Sequence, residues 1–242
     1  MRMFVYILII LLVAGLGYLA IFSNAVRMVQ SLYLIASVTP YERELKGAPT
    51  ILVLGDSTGY GTGANESEAT IAGRIGADFP QYSIINQSKN GRIIEQLKAD
   101  LATLIKEADY ELILLQIGAN DVLQARDPEI VSAELTAIFL ILKERTPHII
   151  MMSSGNIGGA PAFKGEEAKA LTARSRIFRE MFIKTAAETG VTYVDLFKEP
   201  ADDLFIIEAD KYMAIDGLHP TGAGYALWYE LLRPILKTKL DN

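Results

Sequence analysis

Cysteine is absent from this 242-residue sequence, and histidine occurs only twice, as His148 and His219. Without cysteine there are no disulfide bridges, no cysteine-ligated zinc and no thiol chemistry. Two histidines are too few for a metal site built from several of them. We therefore expect neither a metal nor a cofactor, and any reaction that needs an imidazole base must use one of these two residues.

Basic residues are also scarce, since 23 Lys and Arg stand against 29 Asp and Glu and leave a net charge of −6. They form no basic stripe, whereas nucleic-acid binding requires clustered Lys and Arg that neutralise phosphates. We therefore expect no nucleic-acid partner. Half of the residues are hydrophobic, and a chain of this length has room for one substantial domain and a short appendage.

Charged side chains are missing altogether from residues 3–26. At about 1.5 Å per residue, a helix of this length exceeds the ~30 Å hydrocarbon core of a bilayer, so residues 1–26 are predicted to form a transmembrane anchor. The alternative is a cleaved signal peptide, because Ser23-Asn24-Ala25 resembles a cleavage site, although the apolar run is longer than the usual ~7–15-residue signal core. We expect a single-pass membrane protein with its main domain on the extracytoplasmic side.

Residues 27–48 are interpreted as a connector between the anchor and the main domain. Its apolar residues fall broadly along one helical face, namely Met28, Val29, Leu32, Tyr33, Ile35, Ala36 and Val38. This pattern predicts either an amphipathic helix, on the bilayer or packed on the domain, or a continuation of the anchor helix. The polar stretch around Pro40 then marks the boundary, and the main domain is predicted to comprise residues 49–242.

Short apolar runs alternate with longer amphipathic stretches throughout residues 49–242. The apolar runs predict five buried strands, at residues 51–54, 83–86, 112–117, 148–152 and 191–196. The amphipathic stretches predict helices at about 66–79, 92–107, 129–145, 166–189 and 221–238. Five such units indicate a three-layer α/β/α sandwich with a five-stranded parallel, flavodoxin-like sheet. In sheets of this kind the site lies beyond the carboxyl ends of the strands.

The stretch ILVLGDSTGYGTG, from Ile51 to Gly63, brings a serine to the end of the first predicted strand. Ser57 there is a candidate nucleophile. The competing interpretation is a helix-capping or turn serine, a common role for Ser beside Asp and Gly, and this segment taken alone favours it.

Two further polar loops follow the second and third strands. Gly91 is expected to open the next helix with its backbone N–H facing the cleft, although a glycine chosen only for a tight turn is the alternative. Asn120, in Gly118-Ala119-Asn120-Asp121, is a candidate donor to a developing oxyanion, or else part of an Asx-turn.

Asp216 and His219 precede the last predicted helix in the stretch Asp216-Gly217-Leu218-His219-Pro220. Pro220 disfavours a helical conformation at His219, and Thr221 is expected to cap the helix that follows. His219 is thereby placed on a loop, with a carboxylate three residues earlier that can accept its Nδ1–H. His148 lies at the start of a strand, at the opposite edge of the sheet, and is interpreted as structural or solvent-facing.

These loops together resemble the SGNH hydrolase family, the GDSL-type esterases and lipases. The similar blocks occur in the family's order, as Gly55-Asp56-Ser57, Gly91, Gly118-x-Asn120-Asp121 and Asp216-x-x-His219-Pro220. The resemblance implies a three-layer fold and hydrolysis of a carboxylic ester through Ser57, His219 and Asp216. It also implies an oxyanion hole formed by the N–H groups of Ser57 and Gly91 and the side chain of Asn120.

An acylated glycan or a lipid is the substrate class that the resemblance and the anchor together suggest, and the acyl group stays open. The loops at residues 153–165 and 198–214 are expected to border the cleft. Two other functions are kept as alternatives. One is a catalytically silent, membrane-tethered binding module with the same fold. The other is a phosphate- or nucleotide-binding protein that uses the glycines after the first strand, although these glycines match no known phosphate-loop motif.

Overall fold

The computed structural model describes residues 25–105 and 108–240. The predicted membrane segment, residues 3–26, lies almost entirely outside them. Within the described ranges, no helix combines the length and the apolar character needed to cross a bilayer.

A five-stranded parallel sheet forms the centre of the domain. The strands are β1 (Thr50–Gly55), β2 (Ser83–Asn86), β3 (Leu112–Gln116), β4 (Ile149–Met152) and β5 (Thr192–Val194). Their order is β2-β1-β3-β4-β5 and every pairing is parallel. This confirms the predicted flavodoxin-like sheet, and each strand lies within three residues of its predicted limits.

Ten helices are described. The first, α1, comprises residues 25–36. The others are α2 (Ser57–Tyr60), α3 (Ile71–Asp78), α4 (Ile94–Ile105), α5 (Ala119–Leu123), α6 (Pro128–Lys143), α7 (Gly165–Thr189), α8 (Leu204–Ile207), α9 (Ala209–Tyr212) and α10 (Gly222–Leu240). The four shortest, α2, α5, α8 and α9, are not predicted from the sequence because one helical turn is too short to show a 3.6-residue period.

The sheet separates two hydrophobic cores, which follow from the alternation of side chains along a strand. Leu52 and Leu54 face one side of the sheet, with Phe139 of α6 and Phe178 of α7 in the same core. Ile51 and Val53 face the other side, in a core shared with α3 and α10. Burial on both faces explains why these strands appear in the sequence as continuous apolar runs.

The connector packs on this domain, one of the alternatives drawn from its sequence. Leu34 and Val38 are buried, and Arg43 exchanges two backbone hydrogen bonds with Ile84 at the outer edge of β2, at 2.9 and 2.7 Å. Of the residues expected along one apolar face, Met28, Val29, Leu32 and Tyr33 of α1 are all more than half exposed, whereas Leu34 packs on the opposite side of the helix and Val38 is buried beyond its end. Apolar residues therefore cover both faces of α1, and one of those faces is left in solvent.

Candidate active site

Ser57 is the first residue of α2, which begins directly after β1. Asp56 caps this one-turn helix, since its Oδ1 accepts hydrogen bonds from the N–H and the Oγ1–H of Thr58, both at 2.8 Å. The capping role that the sequence offered to Ser57 therefore belongs to Asp56. As a result, the Ser57 hydroxyl is available to a partner outside its own turn.

The partner of Ser57 is His219, which lies 162 positions later in the sequence. His219 Nε2 is 3.0 Å from Ser57 Oγ, and His219 Nδ1 is 2.6 Å from Asp216 Oδ2. The three side chains form one hydrogen-bonded chain at the carboxyl-end edge of the sheet. This is the arrangement in which an imidazole can take a proton from a hydroxyl while a carboxylate holds its tautomer.

The loop that carries His219 is fixed by backbone contacts. Ala214 N–H donates to the His219 carbonyl at 2.8 Å, and Thr221 Oγ1 accepts from Gly224 N–H at 3.2 Å, which confirms the predicted cap of α10. Gly63, at φ +94°, approaches from the other side, where an added Cβ would lie 2.4 Å from the Pro220 carbonyl oxygen. Only a residue without a Cβ fits there, so the histidine loop packs tightly on the glycine-rich turn.

The carboxylate of Asp216 accepts four hydrogen bonds although it is only 3% exposed. Oδ1 accepts from the backbone N–H groups of Leu218 at 3.0 Å and His219 at 3.1 Å. Oδ2 accepts from His219 Nδ1 and from Ser31 Oγ, the latter at 2.8 Å. Burial alone would raise the pKa of Asp216, but the hydrogen bonds and the charge of His219 outweigh it and hold this pKa well below its usual range.

Ser31 was missed by the sequence reasoning. It lies in the connector, 185 positions before Asp216, and no spacing rule links a serine on a separate helix to a loop so far along the chain. The serine in its local sequence, MVQSLYL, carries no signal that distinguishes it from any surface serine.

Of the other predicted donors, Asn120 lies in α5, directly after the loop that follows β3, and Gly91 lies in the turn that follows β2. Asn120 lines the cleft beside Ser57, and its Nδ2 donates to the Arg92 carbonyl at 3.1 Å. Gly91 lies in an exposed turn at φ +76° and is not among the residues that line the cleft. The expectation that Gly91 opens a helix is wrong, because a positive φ is not helical and α4 begins only at Ile94.

Asp121 joins the two segments that carry Gly91 and Asn120. It is fully buried, its carboxylate accepts from Ile94 N–H at the start of α4, at 3.2 and 3.3 Å, and Arg126 Nη1 donates to it at 2.9 Å. Burial raises the pKa of Asp121, opposed by the hydrogen bond from Arg126. This structural role of Asp121 is not predicted from the sequence, where the available signal is its position immediately after Asn120.

Asp56 differs from Asp216 because its hydrogen bonds do not offset the cost of burying its negative charge. Its side chain is fully buried and Oδ2 has no hydrogen-bond partner among the described residues. Burial raises the pKa of Asp56 to about 6, against the hydrogen bonds from Thr58. The capping carboxylate beneath Ser57 is therefore harder to ionise than an ordinary aspartate.

A cleft of about 730 Å³, measured out to its open mouth, lies in front of Ser57 and His219. Residues from 153–165 and 198–214 line it, as predicted. Its walls are mainly apolar, with large side chains from Leu123, Ile157, Leu196, Phe205, Met213 and Trp228. Asn156 also lines the cleft, and neither its Nδ2 nor its Oδ1 has a hydrogen-bond partner within the described part of the chain.

His148 lies apart from this cleft. It directly precedes β4 at the amino-terminal end of the strands, where its carbonyl accepts from Ile113 N–H at 2.9 Å, as its position in the sequence led us to expect. Among residues 25–105 and 108–240, no group of three or more His, Cys, Asp or Glu residues could hold a metal ion.

Known proteins resemble this chain over most of its length. A family model described as the GDSL-like lipase/acylhydrolase family matches residues 53–227. An arylesterase from Vibrio mimicus is 26% identical over 173 residues, which cover 70% of this chain and 79% of the relative. A protein from Escherichia coli, named as a thioesterase, protease and lysophospholipase, is also 26% identical over 173 residues, covering 72% of this chain and 76% of the relative.

The fold has been seen before in solved structures. One of them is a catalytic mutant of an acetylxylan esterase from Geobacillus stearothermophilus, which superposes with a TM-score of 0.59 at 19% identity, covering 79% of this chain and 95% of that one. The resemblance inferred from the four sequence blocks is thereby confirmed at the level of the family. With the family model spanning β1 to α10 and with esterases among its relatives, this chain belongs to the GDSL-like lipase/acylhydrolase family and is a carboxylic ester hydrolase.

Proposed function

We propose that the chain hydrolyses a carboxylic ester through an acyl-enzyme, with Ser57 as nucleophile, His219 as general base and Asp216 as the carboxylate that orients His219. The observation that carries this proposal is the hydrogen-bonded chain from Ser57 Oγ through both nitrogens of His219 to Asp216, at 3.0 and 2.6 Å. A serine becomes nucleophilic when a correctly oriented base accepts its proton.

In the first step His219 Nε2 takes the proton from Ser57 Oγ as the oxygen bonds to the ester carbonyl carbon. Asn120 Nδ2 uses one N–H on the Arg92 carbonyl and has a second N–H for the oxyanion. The family resemblance adds the N–H groups of Ser57 and Gly91 as donors, although Gly91 is not among the residues that line the cleft. The alcohol leaves with the proton from His219. A water molecule then repeats the attack on the acyl-enzyme and releases the acid.

Reaction with a fluorophosphonate tests this assignment, because the reagent labels only an activated serine. We expect a single adduct on the intact protein, located at Ser57 by peptide mass spectrometry. Labelling should slow by at least about 100-fold in His219→Ala, which removes the base. His148→Ala is the matched control, since it removes the other histidine, and should label at the parent rate. A chain that resists labelling would instead be the silent binding module.

The cleft favours a substrate with an apolar acyl chain. Leu123, Phe205 and Trp228 line it with apolar surface. An acyl chain bound there would remove this surface from water, which favours binding. Asn156 adds one unpartnered amide, which suits a carbonyl or hydroxyl group of the same substrate. The similar Escherichia coli protein is named in part as a lysophospholipase, which is consistent with a lipid ester here.

Chain-length dependence distinguishes a lipid ester from an acetylated glycan. We expect kcat/KM for p-nitrophenyl esters to rise at least about tenfold from acetate to hexanoate, because each buried methylene contributes about 0.8 kcal/mol. The reaction would be followed by release of p-nitrophenol with the full-length protein in detergent. A maximum at acetate, together with turnover of acetylated saccharides, would exclude the lipid ester and favour glycan deacetylation.

We propose further that residues 3–26 anchor the enzyme in a membrane, with the catalytic domain on the extracytoplasmic side. The outward face of α1 supports this, since Met28, Val29, Leu32 and Tyr33 are all more than half exposed and directly follow the uncharged segment. The full-length protein should stay with the membrane pellet after alkaline carbonate extraction. Recovery in the supernatant, with a mature N-terminus near residue 26, would indicate a cleaved signal peptide instead.

A further inference from the structure

Ser31 on α1 reaches the catalytic carboxylate from outside the region that the family model matches, residues 53–227. Its Oγ lies 2.8 Å from Asp216 Oδ2. We propose that Ser31 is a positioning residue for the triad, so that the triad is held in its reactive geometry only while α1 is docked on the domain. This inference rests on the proposed function of Ser57, His219 and Asp216.

The hydrogen bonds that Asp216 accepts show how Ser31 can restrain the carboxylate. An ionised carboxylate has about four lone-pair positions. The two on Oδ1 are occupied by backbone N–H groups of the same loop. Oδ2 accepts from His219 Nδ1 and, from a separate element, Ser31 Oγ. Since an ionised carboxylate has no proton to give, Ser31 must be the donor, and it restrains the very oxygen that orients His219.

The inner face of α1 brings Ser31 to this position. Arg27, Ser31 and Leu34 recur at intervals of three or four residues, so they lie along one side of α1. Leu34 and Val38 are buried against the domain. Arg27 Nη1 donates to the Ala162 carbonyl. Polar and apolar contacts therefore fix the rotation of α1 about its own axis and its distance from the site.

The two loops beneath α1 are also bonded to each other. Ala162 N–H donates to the Gly217 carbonyl at 3.0 Å. Arg27 contacts Ala162 in the loop that borders the cleft, and Ser31 contacts Asp216 in the loop that carries His219. Helix α1 is thus a strap across both loops.

Replacing Ser31 with alanine in the full-length protein, assayed in detergent, tests the inference. We expect kcat to fall by about 10- to 150-fold, the range for losing a hydrogen bond to a charged group. KM should stay within about twofold of the parent, because Ser31 is not among the residues that line the cleft. Ser31→Thr keeps the hydroxyl and should recover most of kcat, a rescue that a purely structural role would not produce.

The matched control is Ser37→Ala, at the residue that directly follows α1. The Ser37 hydroxyl donates to the Tyr33 carbonyl of the same segment at 2.6 Å and touches nothing in the site, so this variant should keep the parent kcat. The inference is overturned if kcat of Ser31→Ala stays within twofold of the parent value. It is also overturned if Ser37→Ala lowers kcat as much as Ser31→Ala does. Failure of the proposed function would give a different result, namely ester turnover by Ser57→Ala at the parent rate.

Discussion

Ser57→Ala is expected to lower kcat by on the order of 10⁶-fold, the scale seen when another serine hydrolase loses its nucleophile. The reason is that the Ser57 hydroxyl is the group that His219 Nε2 contacts, at 3.0 Å. Without it no acyl-enzyme forms. The oxyanion donors remain and leave a residual rate about 10³-fold above that in water.

The fold should tolerate this change. Asp56, not Ser57, caps α2 through its bonds to Thr58, so the alanine removes no structural hydrogen bond from the turn. Ester hydrolysis and thermal unfolding would be measured on the same preparation, with Ser67→Ala as the control, because the Ser67 hydroxyl contacts only Glu68, at 3.0 Å. A folded Ser57→Ala protein that turned over esters at the parent rate would rule out the assignment.

Asp216→Asn is expected to lower kcat by about 10⁴-fold at neutral pH. The two backbone N–H groups on Oδ1 require an acceptor, so the amide oxygen takes that position and the amide nitrogen faces His219. His219 Nδ1 must then accept instead of donate. The proton moves to Nε2, where the imidazole can no longer take the proton of Ser57.

Steady-state kinetics on Asp216→Asn would check this tautomer argument, with circular dichroism to confirm folding. Asp203→Asn is a suitable control, because Asp203 also lines the cleft and has a pKa raised by burial, yet it only caps α8 by accepting from Phe205 N–H. A reduction of less than tenfold in Asp216→Asn would show that His219 is oriented by something other than this carboxylate.

The strands and the general position of the site follow from the sequence for a simple reason. A strand buried on both faces is expected to be a nearly continuous apolar run, as in the four residues that precede Gln116 in β3. The carboxyl ends of parallel strands meet at one edge, so Ser57 and Asn120 had to lie near each other once both followed a strand. Gly91 does follow β2, as expected, but the helix predicted to begin at about residue 92 begins at Ile94.

The short helices and the residues that cap them could not be predicted from the sequence. Both Asp56 and Ser57 are good capping residues, and sequence cannot choose between them. The choice depends on which side chain has a stronger partner elsewhere, and the histidine loop provides that partner for Ser57. In the same way, the apolar pattern of the connector identifies a helix but not the face that the domain will cover.

The local pattern of residues 51–63 was enough to present Ser57 at the end of a buried strand, because strand period and turn chemistry are local properties. Its role depended on residues that are 162 positions away in the sequence, and that of Asp216 on a serine 185 positions before it. Such contacts arise only when helices and loops pack on the sheet, since a hydrogen bond depends on ångström distances that no residue spacing specifies. The position of Ser57 could therefore be predicted from its strand and turn, whereas its hydrogen bond to His219 and the strap that α1 forms over Asp216 emerged only from tertiary packing.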